Sequence, residues 1–230
     1  SGDFVISKMK ERVNDPETAE KLTPKGYPFF AKRPPLDHNY FEAYNRDNVQ
    51  LVDIGGQEPI VQFTETGIRT TENDYEFDMI VLATGFQAYT GAQEALPIRG
   101  RNGLLLRDKW DTVSSSILGV FVAEFPNLFM ITGPQAPFAN LPTSIEQNIM
   151  YIVDCIKKME SEGYDLCEPR QEAEDTWVKH VADIHEQTLM AQGDKVHSWM
   201  MGANLENRPP RVLIYFGGAN VYYDLMRTSV

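Results

Sequence analysis

Two stretches of the chain set small residues directly after an apolar run. Asp78-Met-Ile-Val-Leu-Ala-Thr-Gly85 is one, and Asn127-Leu-Phe-Met-Ile-Thr-Gly-Pro134 is the other. In open α/β sheets ligands bind beyond the carboxyl ends of strands, where a glycine lets a bound group approach the backbone. The second stretch is followed by Thr143-Ser-Ile-Glu146, a capping-box sequence with Thr143 as N-cap and Glu146 at N3. A helix starting there offers free N–H groups and a partial positive charge, which favour negative charge on a bound group. The same pattern also fits an ordinary strand–helix unit that binds nothing.

Other chemistry is thinly represented. Cys155 and Cys167 are the only cysteines, with no CxxC and no His/Cys cluster, which argues against a structural zinc and a disulfide scaffold. Free thiols in a reducing compartment are the expectation. His38, His180, His185 and His197 form no Ser/His/Asp or Cys/His set by spacing, and are read as solvated or structural. None of the 16 glycines falls into GxGxxG spacing, so the pyrophosphate-cradling loop of a dinucleotide site is missing from this sequence.

The elements that would position these residues follow from periodicity. Residues 3–21 read as helix, with Phe4, Val5, Met9 and Val13 on one face and Asp15-Pro16 opening a second short turn. Residues 22–48 carry Pro24, Gly26, Pro28, Pro34 and Pro35 and read as a crossing segment between domains. Val49–Ile54 alternates like a strand, and Pro59–Phe63 and Gly67–Thr70 read as antiparallel partners. The continuously apolar Met79–Ala83 predicts a strand buried on both faces, and Asn127–Ile131 a second buried strand. Ile145, Ile149, Ile152, Val153, Ile156 and Met159 predict a long helix stopped by Gly163. A second helix is expected from Pro169 to about Ala191, with Ala173, Trp177, Val181, Ile184 and Thr188-Leu189 on its buried stripe and Gly193 ending it. A strand at Val212–Tyr215 and a short helix to about Met226 follow.

Composition bounds the function class. With 21 Lys+Arg against 33 Asp+Glu the formal net charge is −12, and 42% of residues are hydrophobic. An acidic chain has no basic excess with which to release counterions, so nucleic acid and anionic membranes are poor partners. No apolar run approaches the roughly 18 residues needed to span a bilayer. No signal peptide is expected, and the cytoplasm is the expected location. The 10 Tyr, 12 Phe and 3 Trp argue for a folded chain.

Taken together, the motifs resemble one family. Asp78-Met-Ile-Val-Leu-Ala-Thr-Gly-Phe86 resembles the late ATG motif of class B flavoprotein monooxygenases. Lys32-Arg33-Pro34 and Tyr40-Phe-Glu-Ala-Tyr-Asn-Arg-Asp-Asn-Val49 resemble the domain-crossing segment of Baeyer–Villiger monooxygenases. The run from Gly133 to Glu146 resembles the active-site loop of the cyclohexanone monooxygenase group. Ser198-Trp-Met-Met-Gly-Ala-Asn204 and Tyr215-Phe-Gly-Gly218 resemble its C-terminal segments. The resemblance runs over essentially the whole chain, in family order. The family's two Gly-rich loops, its fingerprint and its early active-site Asp are not in this sequence, so it resembles only the C-terminal portion.

The resemblance implies an α/β fold, a partial two-dinucleotide-binding-domain flavoprotein fold with a mixed sheet and long C-terminal helices. Residues 1–31 would be a helical segment, 32–85 the crossing segment and a remnant of the NADP-domain return strands, and 86–230 the C-terminal portion of the FAD domain with the substrate-pocket loop. Arg33 matches the catalytic Arg that lies against the flavin and stabilises the C4a-peroxide anion, a role suited to a permanently charged group with several donors. Lys32 matches a Lys that meets the NADPH 2′-phosphate, and Trp199 a Trp that donates to the nicotinamide ribose. Thr84, Gly85, Gly133 and Pro134 are the remaining cofactor-binding candidates. Phe138, Ala139, Leu141, Met200 and Ile214 match substrate-pocket positions, the prolines at 134, 137 and 142 holding Phe138 and Leu141 as an apolar wall that Trp199 and Ile214 close. The chain departs from the family at Gln87 (commonly Asp), Ile117 (commonly Tyr), Ala139 (Thr in relatives) and Ile214 (aromatic in relatives).

Three functions remain open on the sequence. The chain is part of a Baeyer–Villiger-type monooxygenase that makes an ester or lactone from a ketone, with FAD and NADPH loops supplied by an N-terminal half in a heterodimer, or it is a homodimer. Alternatively it is a cofactor-free relative that cyclises, isomerises or binds a hydrophobic metabolite. The third option is a fragment without activity of its own. In each case FAD and NADPH are not expected to be held tightly by this chain alone, no metal is expected, and the apolar strands should seek partners.

Overall fold

A computed structural model describes residues 2–28, 31–85, 87–193, 196–205 and 208–229, in two compact units. The first comprises Ser1–Phe29 and Pro34–Gly85, the second Phe30–Arg33 and Phe86–Val230. The first unit thus takes in both the helical segment and the strands that follow the crossing segment.

In the first unit α1 (Gly2–Lys10) and α2 (Pro16–Leu22) replace one continuous helix. Asp15 accepts from Thr18 N at 2.8 Å and Pro16 pre-sets the first turn, so the chain restarts a helix at that point. Val13, Ala19 and Phe41, the last from α3 (Tyr40–Ala43), form a small core with Met9 and Leu22. Arg12 ties α3 down through Glu42, at 2.5 and 2.6 Å, and also pairs with Asp37. Next comes an antiparallel meander of β1 (Ile60–Phe63), β2 (Gly67–Thr70) and β3 (Asp74–Glu76). The expected β1–β2 pairing is observed, with Phe63 opposite Ile68 and Ile60 opposite Thr70. Gly67 is required there, since a Cβ would sit 1.8 Å from Tyr75 O across the β2–β3 pair.

Two strand expectations fail in this unit. Val49–Ile54 is irregular instead, running into a turn that begins at Ile54. Phe77–Ala83 forms no strand: Phe77 N–H donates to Thr66 O at 2.9 Å at the end of the meander, and beyond it Met79 is 79% and Leu82 70% exposed. The reason is physical: a strand buried on both faces needs neighbours on both edges, and the meander supplies none.

The second unit begins with α4 (Gly91–Ala95) and α5 (Leu106–Lys109), which pack Leu106 and Trp110 against Val122, Phe125 and Met130. Its spine is α6 (Leu141–Glu162), α7 (Gln171–His185) and α8 (Ala219–Thr228), around Tyr151, Trp177, Val181, Tyr215 and Tyr222. Gly163 ends α6 at φ 72°, as its position predicts. The helix after Pro169 stops at His185, earlier than its periodicity suggests. Thr188 donates to His185 O at 2.8 Å and accepts from Met190 N at 3.1 Å, drawing the backbone into a separate 3₁₀ turn.

Asn127–Ile131 is not a strand either. Asn127 and Thr132 sit at φ 59° and 52°, which breaks extended geometry at both ends. The remaining sheet is small: β4 (Ala136–Pro137) pairs in parallel with β5 (Ile214–Tyr215), and all four residues are buried.

Both cysteines are free and half-buried at the α6–α7 side of this unit. Burial, aided by the neighbouring Cys167 and Asp154, pushes the Cys155 thiol up to about 11, and burial raises Cys167 too. At pH 8 only about 0.1% of such a thiol is thiolate, so Cys155 should alkylate roughly two orders of magnitude more slowly than free cysteine. Timed iodoacetamide labelling with peptide mass spectrometry checks this; labelling at the free-cysteine rate would contradict the burial. Because its folded pKa is raised, the Cys155 contribution to stability is present below pH 9 and is lost as pH rises towards 11.

Candidate functional site

The loop from Thr132 to Asn140 is held by buried polar side chains rather than by sheet pairing alone. Asn148, fully buried on α6, accepts from Thr132 N at 2.9 Å. Ser116 Oγ donates to Pro134 O at 2.6 Å and accepts from Gly119 N at 3.1 Å. Gln135 N donates to Leu213 O at 2.7 Å and Phe138 N to Tyr215 O at 2.9 Å, clamping the loop to β5. These bonds fix two non-glycine residues in the left-handed region, Thr132 at φ 52° and Gln135 at φ 66°. Gly133 packs so closely that a Cβ would lie 2.7 Å from Gly119 O.

Helix α6 departs from the loop differently from the capping-box expectation. Its N-cap is Asn140, not Thr143, and no side chain caps it. Pro142 suits the first turn and lacks an N–H that would be orphaned there, so the helix begins earlier. Leu141 consequently stands in the helix. With no acidic residue in that first turn, the N-terminal positive potential is left uncompensated by side chains.

Beside this loop the chain builds an aromatic shelf. The Arg33 guanidinium lies 5.3 Å from the centroid of Phe138, and Phe138 packs on Phe216 at 5.6 Å. Arg33 and Lys32 are exposed, as are Phe138 (40%) and Leu141 (57%), while Ala139 is half-buried. Met200 and Ile214 lie beneath, buried in a cluster with Met190 and Leu213 that Trp199, Tyr89 and Phe216 cover. Trp199 stacks on Tyr89, rings 6.2 Å apart and 15° from parallel. The expected wall therefore assembles in two layers: Phe138 and Leu141 face outward, Ile214 at 1% exposure is core, and Phe216 joins the layers.

Gly133 and Pro134 are buried under the shelf, whereas Thr84 and Gly85 are exposed residues of the first unit. Two open concavities of about 430 and 270 Å³ lie at Glu124–Glu172 and Cys155–Ser229 and include none of these residues. Among the described residues no His/Cys/Asp/Glu group could hold a metal ion, and no helix is long and apolar enough to cross a membrane. His38, His180 and His197 are exposed; His185 is buried behind Phe216, 6.0 Å from its ring.

Sequence reasoning missed Ser116, Gln135, Asn148, Phe216 and Tyr222. For Asn148 the apolar stripe misdirected: Ile145, Ile149, Val153 and Ile156 are exposed, and α6 buries Ser144, Asn148 and Tyr151 instead, so the Asn148 amide finds its partners inside. Tyr222 is one of them, receiving Asn148 Nδ2 at 3.1 Å and donating to Leu118 O. Burial raises the Tyr222 phenol well above the ordinary tyrosine range, so it remains the donor.

A clamped glycine loop thus runs into an uncapped helix, and an exposed Arg lies on an aromatic shelf beside it; comparison with known proteins gives the class. No protein-family model matches the chain. It is 43% identical over 223 residues to a Baeyer–Villiger monooxygenase of Pseudooceanicola batsensis, covering 96% of this chain and 40% of that one. It is 40% identical over 220 residues to a cyclohexanone 1,2-monooxygenase of an Acinetobacter species, covering 95% and 39%. The NADP⁺-bound structure of cyclohexanone monooxygenase from Rhodococcus sp. Phi1 superposes with a TM-score of 0.92 at 42% identity, over 99% of this chain and 42% of that one. The chain is a Baeyer–Villiger monooxygenase relative, corresponding to the C-terminal portion of that fold in the cyclohexanone monooxygenase group. It spans about two-fifths of the length of the curated relatives it matches.

Proposed function

We propose that this chain forms the substrate- and flavin-facing C-terminal part of a flavin-dependent monooxygenase that converts a ketone to an ester or lactone. The observation that carries this is the exposed Arg33, held over Phe138, which shortly precedes the uncapped N-terminus of α6. The described residues suit the ring end of a flavin: a guanidinium, a loop whose glycine admits no side chain, and a helix N-terminus that all favour negative charge. They do not suit its pyrophosphate, because no GxGxxG is present. FAD and NADPH would therefore be held jointly with a nucleotide-binding portion; when bound, they supply the reducing equivalents and the activation of O₂. In that assembly Gly133, Pro134, Thr84 and Gly85 would be the chain's contacts to the flavin cofactor. Lys32 and Trp199 would meet NADPH. Arg33 would stay charged and orient the developing negative charge, while Phe138, Ala139, Leu141 and Phe216 would exclude water from a hydrophobic substrate.

The cofactor-free alternative drew on residues 87, 117, 139 and 214. Ile214 is core and Ile117 packs against the α6–α7 core, so neither exchange widens an open pocket. The exposed run Phe77–Leu82 and the exposed strand β1 support docking of such a portion on the first unit, since about three-fifths of the Pseudooceanicola relative's length lies outside the match.

The test is complementation with the nucleotide-binding portion of the Pseudooceanicola relative. The expected result is a complex with stoichiometric FAD and NADPH-dependent lactone formation from cyclic ketones, read by gas chromatography. A stable, FAD-loaded complex that forms no ester from any of a panel of linear, cyclic and aryl ketones would overturn the reading. A monodisperse monomer that ignores the added portion would overturn the docking assignment.

A further inference from the structure

Behind the Tyr89–Trp199 stack lies a buried carboxylate that the proposed chemistry does not use. Glu94, on α4, is 7% exposed, and its Oε2 accepts from Gln87 Nε2 at 2.7 Å and from Arg208 Nη1 at 2.5 Å. Gln87 Nε2 also donates to the fully buried Thr90 Oγ1 at 2.8 Å. Tyr89 stands between these anchors at φ 64°, a strained conformation for a tyrosine that its flanking bonds must hold.

The same carboxylate reaches the other half of the stack. Arg211, 4% exposed, has Nη1 3.8 Å from Glu94 Oε1 and donates from it to Trp110 O at 2.8 Å and Ser114 Oγ at 2.7 Å. Burial lowers the Arg211 pKa and neighbouring Arg208 adds to that, while Glu94 foremost, and Asp111, oppose it. The Arg211 backbone N–H in turn donates to Met201 O at 2.7 Å, fixing the turn Trp199–Met201. One carboxylate is thus tied to the turn that carries Tyr89 and to the segment that carries Trp199.

We propose that Gln87 and Glu94 are paired positioning residues that set the Trp199 face for the nicotinamide portion of the cofactor. This rests on the reading that Trp199 contacts NADPH. The pairing also explains why position 87 departs from the Asp of the resembled family. A carboxylate at 87 would lie against Glu94, and two carboxylates at hydrogen-bond distance cannot both ionise. The neutral amide is the donor that Glu94 requires, and the choice of residue at 87 is coupled to the acid at 94.

The experiment uses the complemented oxygenase and the variants Gln87→Asp, Glu94→Gln and the double exchange. Losing one charge-assisted bond in Gln87→Asp should raise the NADPH KM about tenfold with kcat changed by less than about twofold. The double exchange restores one acid and one amide, and should recover most of that loss. A structural role alone would lower thermal stability without this split and without rescue. A second readout needs no turnover: Trp199 emission, taken as the difference between each protein and its Trp199→Phe partner, should shift to the red in Gln87→Asp and return in the double exchange. An unchanged emission difference, or a KM that the double exchange fails to recover, would overturn the proposal. If Trp199→Phe itself leaves the NADPH KM unchanged, the nicotinamide assignment falls, and the emission shift alone decides whether Gln87 and Glu94 position Trp199.

Discussion

Replacing Arg33 by alanine should lower ketone oxygenation by the complemented enzyme about 10²- to 10³-fold in kcat, the loss typical of removing a donor aimed at developing negative charge. Two features of its setting make the effect electrostatic rather than structural. The side chain is exposed, and its one described ring contact, with Phe138, is of a kind contributing about 0.5–1 kcal/mol at such sites. The melting temperature should therefore move by only a few degrees. The uncapped N-terminus of α6 offers a second source of positive potential, but a helix end carries only about half a unit charge and cannot turn towards a reacting atom. Arg33→Lys should recover part of the rate, since it keeps the charge and loses the planar fork of donors. Steady-state kinetics beside a thermal melt separate the effects: activity within fivefold of the parent after Arg33→Ala would remove this residue from the chemistry.

Sequence periodicity was most informative where an element is stabilised by its own neighbours. The long helix α6 and its Gly163 stop follow from local rules, as does the β1–β2 pair joined by a short turn. It misled where burial depends on something distant. Met79–Ala83 reads as a doubly buried strand because its composition suits one, yet composition says nothing of where the flanking strands come from; in this chain they are absent from the described residues. The capping box at Thr143 failed for a different reason. Pro142 satisfies the first turn as well as a polar cap does, and a pattern cannot rank two competing starts one turn apart.

The site was legible in pieces. Arg33, Phe138 and the glycine loop stand out by residue type and motif, and the structure brings Arg33 to Phe138. Phe216 did not stand out, because an aromatic next to Gly217-Gly218 looks like a strand end; only the fold shows it joining Phe138 to the Met200–Ile214 cluster. Ile214, singled out as a pocket residue, is instead paired with Ala136 across β4–β5. Strand alternation predicts that one side of Val212–Tyr215 is inward but not whether inward means pocket or core.

The clamp on the glycine loop yields the largest expected stability effect. Asn148→Leu keeps the side-chain volume close to that of the parent and removes both ends of the amide. Thr132 N loses its acceptor at 2.9 Å, and Tyr222 OH loses the Nδ2 donor at 3.1 Å. The second loss is mild, because Tyr222 still donates to Leu118 O. The first is not: Thr132 is held at φ 52°, and with its N–H unpaired that strain has no compensation. An unsatisfied, half-buried donor plus release of the strained turn should cost about 1–3 kcal/mol. Relaxation of Thr132 towards negative φ would also shift Gly133, whose N–H donates to Gly119 O at 2.9 Å, and so loosen the loop. Activity should fall together with stability, whereas Tyr222→Phe, which keeps the Asn148–Thr132 bond, should cost stability and leave kcat near the parent value. Denaturant melts of the two variants beside their kinetics test the assignment. If Asn148→Leu melted like the parent, the loop would be held by Ser116 and the β4–β5 pair alone, and Asn148 would have no part in shaping the site.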